Sequence, residues 1–240
     1  MRCAIESVGA KVLSLPLIEI KALSDPQGIQ DLKSAVLQLD NYQVIIFVSN
    51  NAVTFGGEVI NNYWPQFPQG IDVIAVGPTT AEAAEERLGC TVIQPSTGMT
   101  SEDILNMPQL ADVNEKKIGI VRGQGGRELL ADTLRERGAK LDYLEAYSRT
   151  PVEYSKSEFC ERLQSAGVNV LTVSSGESLD RLSQLLADND EVKQKTNIVV
   201  PSRRVALQAR EAGFLRVFNA NGADPSSFVC ALGELSINQE

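Results

Sequence analysis

Five short runs in this chain combine hydroxyl, amide and glycine residues in a way that could bind an anion. They are Ser49-Asn50-Asn51, Gly77-Pro78-Thr79-Thr80, Arg122-Gly123-Gln124-Gly125-Gly126-Arg127, Ser174-Ser175-Gly176 and Pro201-Ser202-Arg203. Each follows an apolar run and precedes a stretch of helical periodicity. A helix start presents unpaired N–H groups and the positive end of its dipole, so an anion can be held there without a cationic side chain. N-capping by Ser, Thr or Asn accounts for any one of these loops taken alone. Five of them at strand ends favour a ligand site, because such loops gather at the carboxyl edge of an open α/β sheet. The candidate binding residues are Ser49, Asn50, Thr79, Thr80, Arg122, Gly123, Gly125, Gly126, Ser174, Ser175, Gly176, Ser202 and Arg203. Tyr147 is the candidate proton donor to a leaving hydroxyl. From the residues alone a packed, half-buried aromatic is the better reading of it.

The remaining chemistry is narrow. The chain has no histidine, which removes the commonest general base and any Ser-His or Cys-His dyad. Cys3, Cys90, Cys160 and Cys230 stand far apart beside apolar segments, so they read as small buried hydrophobes and no metal site is expected. The run from Gly123 to Glu128 has two glycines of a dinucleotide fingerprint after a strand, but Glu128 holds the third required position. Glu145 could mimic the ribose-binding acid. A flexible backbone approaching an anion, flanked by Arg122 and Arg127, fits the run better. The net charge of −9 gives no basic footprint for nucleic acid, and at long range it would repel a polyanion. No run approaches the length of a membrane span, and the first residues lack a signal-peptide core. A cytoplasmic monomer that meets neither membrane nor nucleic acid is the expectation.

These residues must be positioned by alternating elements. β-branched runs predict strands at 11–15, 44–48, 73–76, 91–93, 117–121, 168–173, 197–200 and 216–219. Helical periodicity covers 29–39, 80–88, 128–137, 158–166, 178–187 and 205–212. Strand-then-helix alternation of this kind predicts an α/β fold with parallel sheets. The chain also repeats itself. Residues 44–53 resemble 170–179, and 73–81 resemble 197–205, with Pro78 matched to Pro201. Two similar α/β domains follow. Extended chain at 17–23 and 144–151 suggests a two-stranded hinge. The expected partition is a discontinuous outer domain of 1–23 and 152–240 around an inserted domain of 24–143, with a ligand cleft between them.

Together these stretches resemble the uroporphyrinogen-III synthase family. The resemblance is carried by Pro16-Leu17-Ile18-Glu19-Ile20, Phe47-Val48-Ser49-Asn50-Asn51, Ala75-Val76-Gly77-Pro78-Thr79-Thr80, the 122–130 run, Tyr143-Leu144-Glu145-Ala146-Tyr147-Ser148-Arg149 and Val173-Ser174-Ser175-Gly176. It covers nearly the whole chain and implies two α/β domains on a two-stranded linker, with no metal or organic cofactor. The implied substrate is hydroxymethylbilane, a linear tetrapyrrole with eight carboxylates. The implied reaction eliminates its hydroxyl as water, inverts ring D through a spiro intermediate and closes the macrocycle. Tyr147 matches the family tyrosine proposed to assist loss of the hydroxyl, and Ser49, Thr80, Ser174 and Ser202 match cleft positions. Arg122, Arg127, Arg149 and Arg203 would make that cleft locally positive. Family members open with a strand ending in Thr-Arg-Pro and then a helix, whereas this sequence opens at Met1-Arg2-Cys3-Ala4-Ile5, inside that helix. The resemblance thus implies an outer sheet short of one central strand. A small-ligand binding protein of similar hinge and a nucleotide-dependent oxidoreductase are the competing readings.

Overall fold

The computed structural model describes residues 1–96, 98, 100–126 and 128–237. Arg127, expected beside the glycine loop, lies outside the described residues, as do Thr97 and Met99. The chain divides into two compact units, Met1–Glu19 with Thr150–Glu240, and Ile20–Arg149. The first unit opens with α1 (Arg2–Glu6). The chain then runs through β1 (Ile18–Ala22), α2 (Pro26–Leu37), β2 (Val44–Phe47), α3 (Asn50–Tyr63), β3 (Asp72–Ala75), α4 (Pro78–Leu88), β4 (Val92–Ile93), α5 (Ser101–Leu105), β5 (Lys117–Gly123), α6 (Leu129–Glu136) and β6 (Lys140–Pro151). It returns with α7 (Lys156–Ser165), β7 (Val170–Thr172), α8 (Gly176–Leu185), α9 (Asp190–Lys195), β8 (Asn197–Val200), α10 (Arg203–Glu211), β9 (Arg216–Asn219) and α11 (Pro225–Ile237).

In the Ile20–Arg149 unit the sheet order is β1-β6-β5-β2-β3-β4, and the pairs from β6 across to β4 are parallel. β2 lies at the centre and is buried at all four positions, as a parallel strand covered on both faces must be. Its side chains divide by the strand's period of two. Ile45 and Phe47 join a core with Leu32, Val36 and Ile60, while Val44 and Ile46 join Ile104, Leu110, Ile120 and Leu134 on the opposite face.

The other unit carries a three-stranded parallel sheet in the order β7-β8-β9. Ile198 and Val200 of β8 face Phe159, Leu163, Leu179 and Leu182, and Val199 faces Phe228, Ala231 and Leu235. Both units are α/β with parallel strands, as the alternation predicts.

Several expectations need correction. Residues 11–15 are extended but form no strand, although their composition is that of one. A strand exists only where a neighbour accepts its ladder of hydrogen bonds, and none is paired to this stretch among the described residues. β7 is three residues long, against six read from its β-branched run. The short polar helix α9 has too little periodicity to be read in advance. Cys3 and Cys230 are exposed and are not the buried hydrophobes expected; Cys90 and Cys160 are partly buried.

Candidate functional site

The sheet of the Ile20–Arg149 unit changes direction between β2 and β5: β3 and β4 add on one side of this pair, β6 on the other. Loops leaving the carboxyl ends of two such strands diverge and open a crevice. The loops here are Ser49-Asn50-Asn51 and the 123–126 run, both among the expected binding residues. Ser49 is the N-cap of α3, its hydroxyl accepting from the Ala52 N–H at 3.1 Å. The same Oγ lies 3.1 Å from the Tyr147 hydroxyl. Beside it, Asn50 accepts from the buried Thr80 hydroxyl at 2.7 Å, which ties the start of α3 to the first turn of α4. Thr79 is exposed and follows Pro78 at the start of α4, whose cap, Gly77, supplies no side-chain oxygen.

Tyr147 belongs to β6, one strand away from β5 and two from β2. Two irregularities carry its hydroxyl across. The β5–β6 register slips between Arg122 and Gly123, so that Arg122 faces Glu145 and Gly123 faces Tyr147. This bulge at Ala146 changes the alternation of β6. Leu144, Ala146 and Tyr147 consequently share one core, where strict alternation would send Tyr147 to the other face. The ring then crosses β5 directly over Gly123, and a Cβ at that position would stand 2.7 Å from the Tyr147 Cζ. Glycine is required there by close approach. Tyr147 is only 1 % exposed, with its ring 5.7 Å from that of Phe55. Arg149 lies over the same ring at 5.6 Å and donates from Nη2 to the Tyr147 hydroxyl at 3.4 Å. The tyrosine is therefore a packed aromatic whose polar end is held by one hydroxyl and one cation.

Arg122 is buried and engaged by its own loop. Its guanidinium donates to the Gly123 carbonyl at 3.3 Å, to the Gly125 carbonyl and to Glu128 at 3.3 Å, and lies 4.7 Å from the centre of the Tyr143 ring. The Tyr143 hydroxyl donates to the other oxygen of Glu128. That hydrogen bond, reinforced by the Arg122 charge, holds the Glu128 carboxyl below its ordinary range. Burial, and then the same bond to Glu128, pushes the Tyr143 hydroxyl up. Glu145 accepts from the Gly125 N–H at 3.3 Å, so it braces the glycine loop from within. Glu128 and Tyr143 were not legible as site residues, because their link joins the start of a helix to the middle of a strand.

In the other unit, Ser175 caps α8 and accepts from the Ser178 N–H at 3.1 Å, whereas Ser174 is exposed one residue earlier. Ser175 thus stands where Ser49 stands in the repeat. Ser202 caps α10, accepting from Val205 at 3.4 Å, and exposed Arg203 opens that helix. The structural counterpart of Gly77 is therefore Ser202, and Pro201 lies before the cap while Pro78 lies after it. The match of the two prolines is displaced by two residues. Gly176 faces Gln208 and Arg204 of α10; a Cβ on it would lie 3.1 Å from the Gln208 Oε1 and 3.6 Å from the Arg204 Nη1. Arg204 was not among the expected residues. Among the described residues no three His, Cys, Asp or Glu side chains group as a metal site, and no helix is long and apolar enough to cross a membrane.

Comparison with known proteins adds to this geometry. The family model described as "Uroporphyrinogen-III synthase HemD" matches residues 1–230. The chain is 31% identical over 233 residues to the uroporphyrinogen-III synthase of Escherichia coli (strain K12), covering 95% of this chain and 92% of that protein. It is 31% identical over 230 residues to the enzyme of that name from Salmonella typhimurium, with the same coverage. Among solved structures, a mutant uroporphyrinogen III synthase from the extremely thermophilic bacterium Thermus thermophilus superposes with a TM-score of 0.64 at 16% identity, covering 100% of this chain and 94% of that one. The uroporphyrinogen-III synthetase of Helicobacter pylori 26695 gives 0.59 at 16% identity, over 94% and 92%.

Proposed function

This chain belongs to the uroporphyrinogen-III synthase family, and we propose that it converts hydroxymethylbilane to uroporphyrinogen III with loss of water and inversion of ring D, as a cyclising lyase needing no cofactor. The observation that carries the mechanistic reading is the Ser49–Tyr147–Arg149 contact at the change of sheet direction. In the proposed step the bond between the terminal methylene and its hydroxyl breaks, the adjacent pyrrole nitrogen supplies electron density, and a proton from Tyr147 completes the departing water. Tyr147 is 1 % exposed while Ser49 is half-buried, so the Ser49 hydroxyl is the solvent-side member of the pair and passes the proton outward. Arg149 stabilises the phenolate left behind. The bilane closes readily by itself without inverting ring D. The enzyme's task is then to hold the reacting carbons in the geometry of the spiro route, for which positioning outweighs strong acid or base.

The eight substrate carboxylates would be met mainly by the loops that lead into helices: Asn50, Thr79 and Thr80 with the Gly125-Gly126 turn in one unit, and Ser174, Ser175, Gly176, Ser202 and Arg203 in the other. Backbone N–H donors in such loops suit a chain of net charge −9, since they need no cationic side chain, and Arg203 is the one cation of this set. Gly123 and Arg122 shape the glycine loop. The reading includes a monomer acting in the cytoplasm, without nucleic acid or membrane.

The test is incubation of the purified chain with freshly prepared hydroxymethylbilane, then oxidation and separation of porphyrin isomers. Isomer III is expected; isomer I alone would overturn the reading. Tyr147→Phe should lower turnover roughly a hundredfold, the low end of what a positioned acid contributes. Full activity in that variant would remove Tyr147 from the mechanism.

A further inference from the structure

The glycine loop after β5 has the composition of an anion cradle, yet much of its backbone is bonded within its own unit. The Gln124 N–H donates to the Tyr147 carbonyl at 2.8 Å, and the Gly125 N–H donates to Glu145 at 3.3 Å. The carbonyls of Gly123 and Gly125 both accept from the Arg122 guanidinium. Gly125 has φ +68° and Gly126 has φ +108°, so the turn uses conformations that only glycine adopts freely. Backbone of this kind has many states open to it, and a side chain that bonds two of its carbonyls selects one.

The selected state bears directly on the Tyr147 site. Gln124 holds the backbone of the tyrosine, and Gly123 lies beneath its ring. Gly126 stands beside two guanidinium groups: a Cβ there would be 2.6 Å from Arg122 Nη2 and 3.9 Å from Arg149 Nη1. Arg149 continues to the Tyr147 hydroxyl at 3.4 Å. Arg122 is anchored by Glu128, which accepts from Nη1 at 3.3 Å, and by the Tyr143 ring, whose centre is 4.7 Å away. Gly123, Gly125 and Glu128 thus take Nε, Nη2 and Nη1, an arrangement that a lysine ammonium on its flexible stem cannot reproduce. Arg122 is also only 6 % exposed, which keeps its guanidinium from a substrate carboxylate.

We infer that Arg122 is a positioning residue, a role that rests on the reaction proposed for Tyr147: it acts through the glycine loop to hold Tyr147 and Arg149 in place, and does not bind substrate.

Arg122→Lys keeps the charge and removes the fork. In the isomer assay kcat falls roughly tenfold, short of the hundredfold that a misplacement of about 1 Å can cost. KM stays within about twofold, because an arginine that touched substrate would show itself in KM. Without substrate, the Gln124 amide exchanges with solvent about tenfold faster, while melting stays cooperative. A raised KM at unchanged kcat overturns the inference, and so does wild-type kcat or unchanged exchange at Gln124. Glu128→Ala removes an exposed partner of the same guanidinium and lowers kcat in the same direction. Combined with Arg122→Lys, its loss is smaller than the product of the two, since both act through one contact; losses that multiply overturn the shared route. Should Arg122→Lys not fold, unchanged kcat in Glu128→Ala overturns the inference. Isomer I alone from the wild-type chain sinks the reaction assigned to Tyr147 instead, and the Gln124 exchange rates still test the clamp.

Discussion

Tyr147 meets Ser49 because the residue beneath its ring has no side chain and the strand that carries it is bulged one residue earlier. Gly123→Ala places a methyl group against the ring, and overpacking of this kind costs about 1–3 kcal/mol. A lower melting temperature is expected together with reduced turnover, because the ring must tilt away from Ser49. Unchanged values in both measurements would mean the ring is free to move. The Arg122–Glu128–Tyr143 group makes a second residue-level prediction. The Glu128 carboxyl is held below its ordinary range, so its contribution to stability is complete above about pH 4–5 and is lost as the pH falls through the depressed value. Tyr143 is shifted the other way, and its contribution is present below about pH 10 and is lost as the pH rises through the elevated value. Melting curves from pH 7 down to pH 3 should fall more steeply for the wild-type chain than for Glu128→Gln. Parallel curves would show that the pair adds nothing.

At the scale of elements, strand and helix positions were legible wherever a β-branched run or an apolar face spoke for itself. The central strand β2 and the cap Ser49 are examples: four consecutive apolar residues need burial on both faces, and the serine after them satisfies the first turn of α3. What failed depended on partners distant in sequence. Residues 11–15 have strand composition but no ladder, and sequence alone offers no means of telling whether a ladder exists. Ser174 and Ser175 have equal claims in sequence, and only the turn after β7 decides that Ser175 is the cap. Ser175→Ala should therefore cost about 1 kcal/mol of stability, and Ser174→Ala less than about 0.5 kcal/mol. Urea denaturation of the two variants checks the order; a larger loss at Ser174 would reverse the assignment. The catalytic candidate itself was visible as a tyrosine in an extended run. Its contact with Ser49 was not, since neither the bulge at Ala146 nor the need for glycine at position 123 leaves a local pattern.

For the whole molecule, two units of one architecture carry different polar groups at matching positions. Asn50 and Thr80 bond to each other in one, while Gly176 and Val205 take their positions in the other, beside Arg204. The chain enters the Ile20–Arg149 unit along β1 and leaves it along β6, and these strands are neighbours in one sheet. Just outside it the Val152 N–H donates to the Leu17 carbonyl at 2.9 Å, so the ends of that unit lie about one strand spacing apart, ~5 Å. A stretch of chain whose two ends nearly touch can be cut out, or tied into a ring with a few glycines, at small entropic cost. Residues 20–149 made alone should melt in a single cooperative transition, and a version closed on itself and reopened at the exposed turn around Gly70 should retain the same helical signal. A shapeless spectrum from both would mean that the cassette depends on the rest of the polypeptide for its fold.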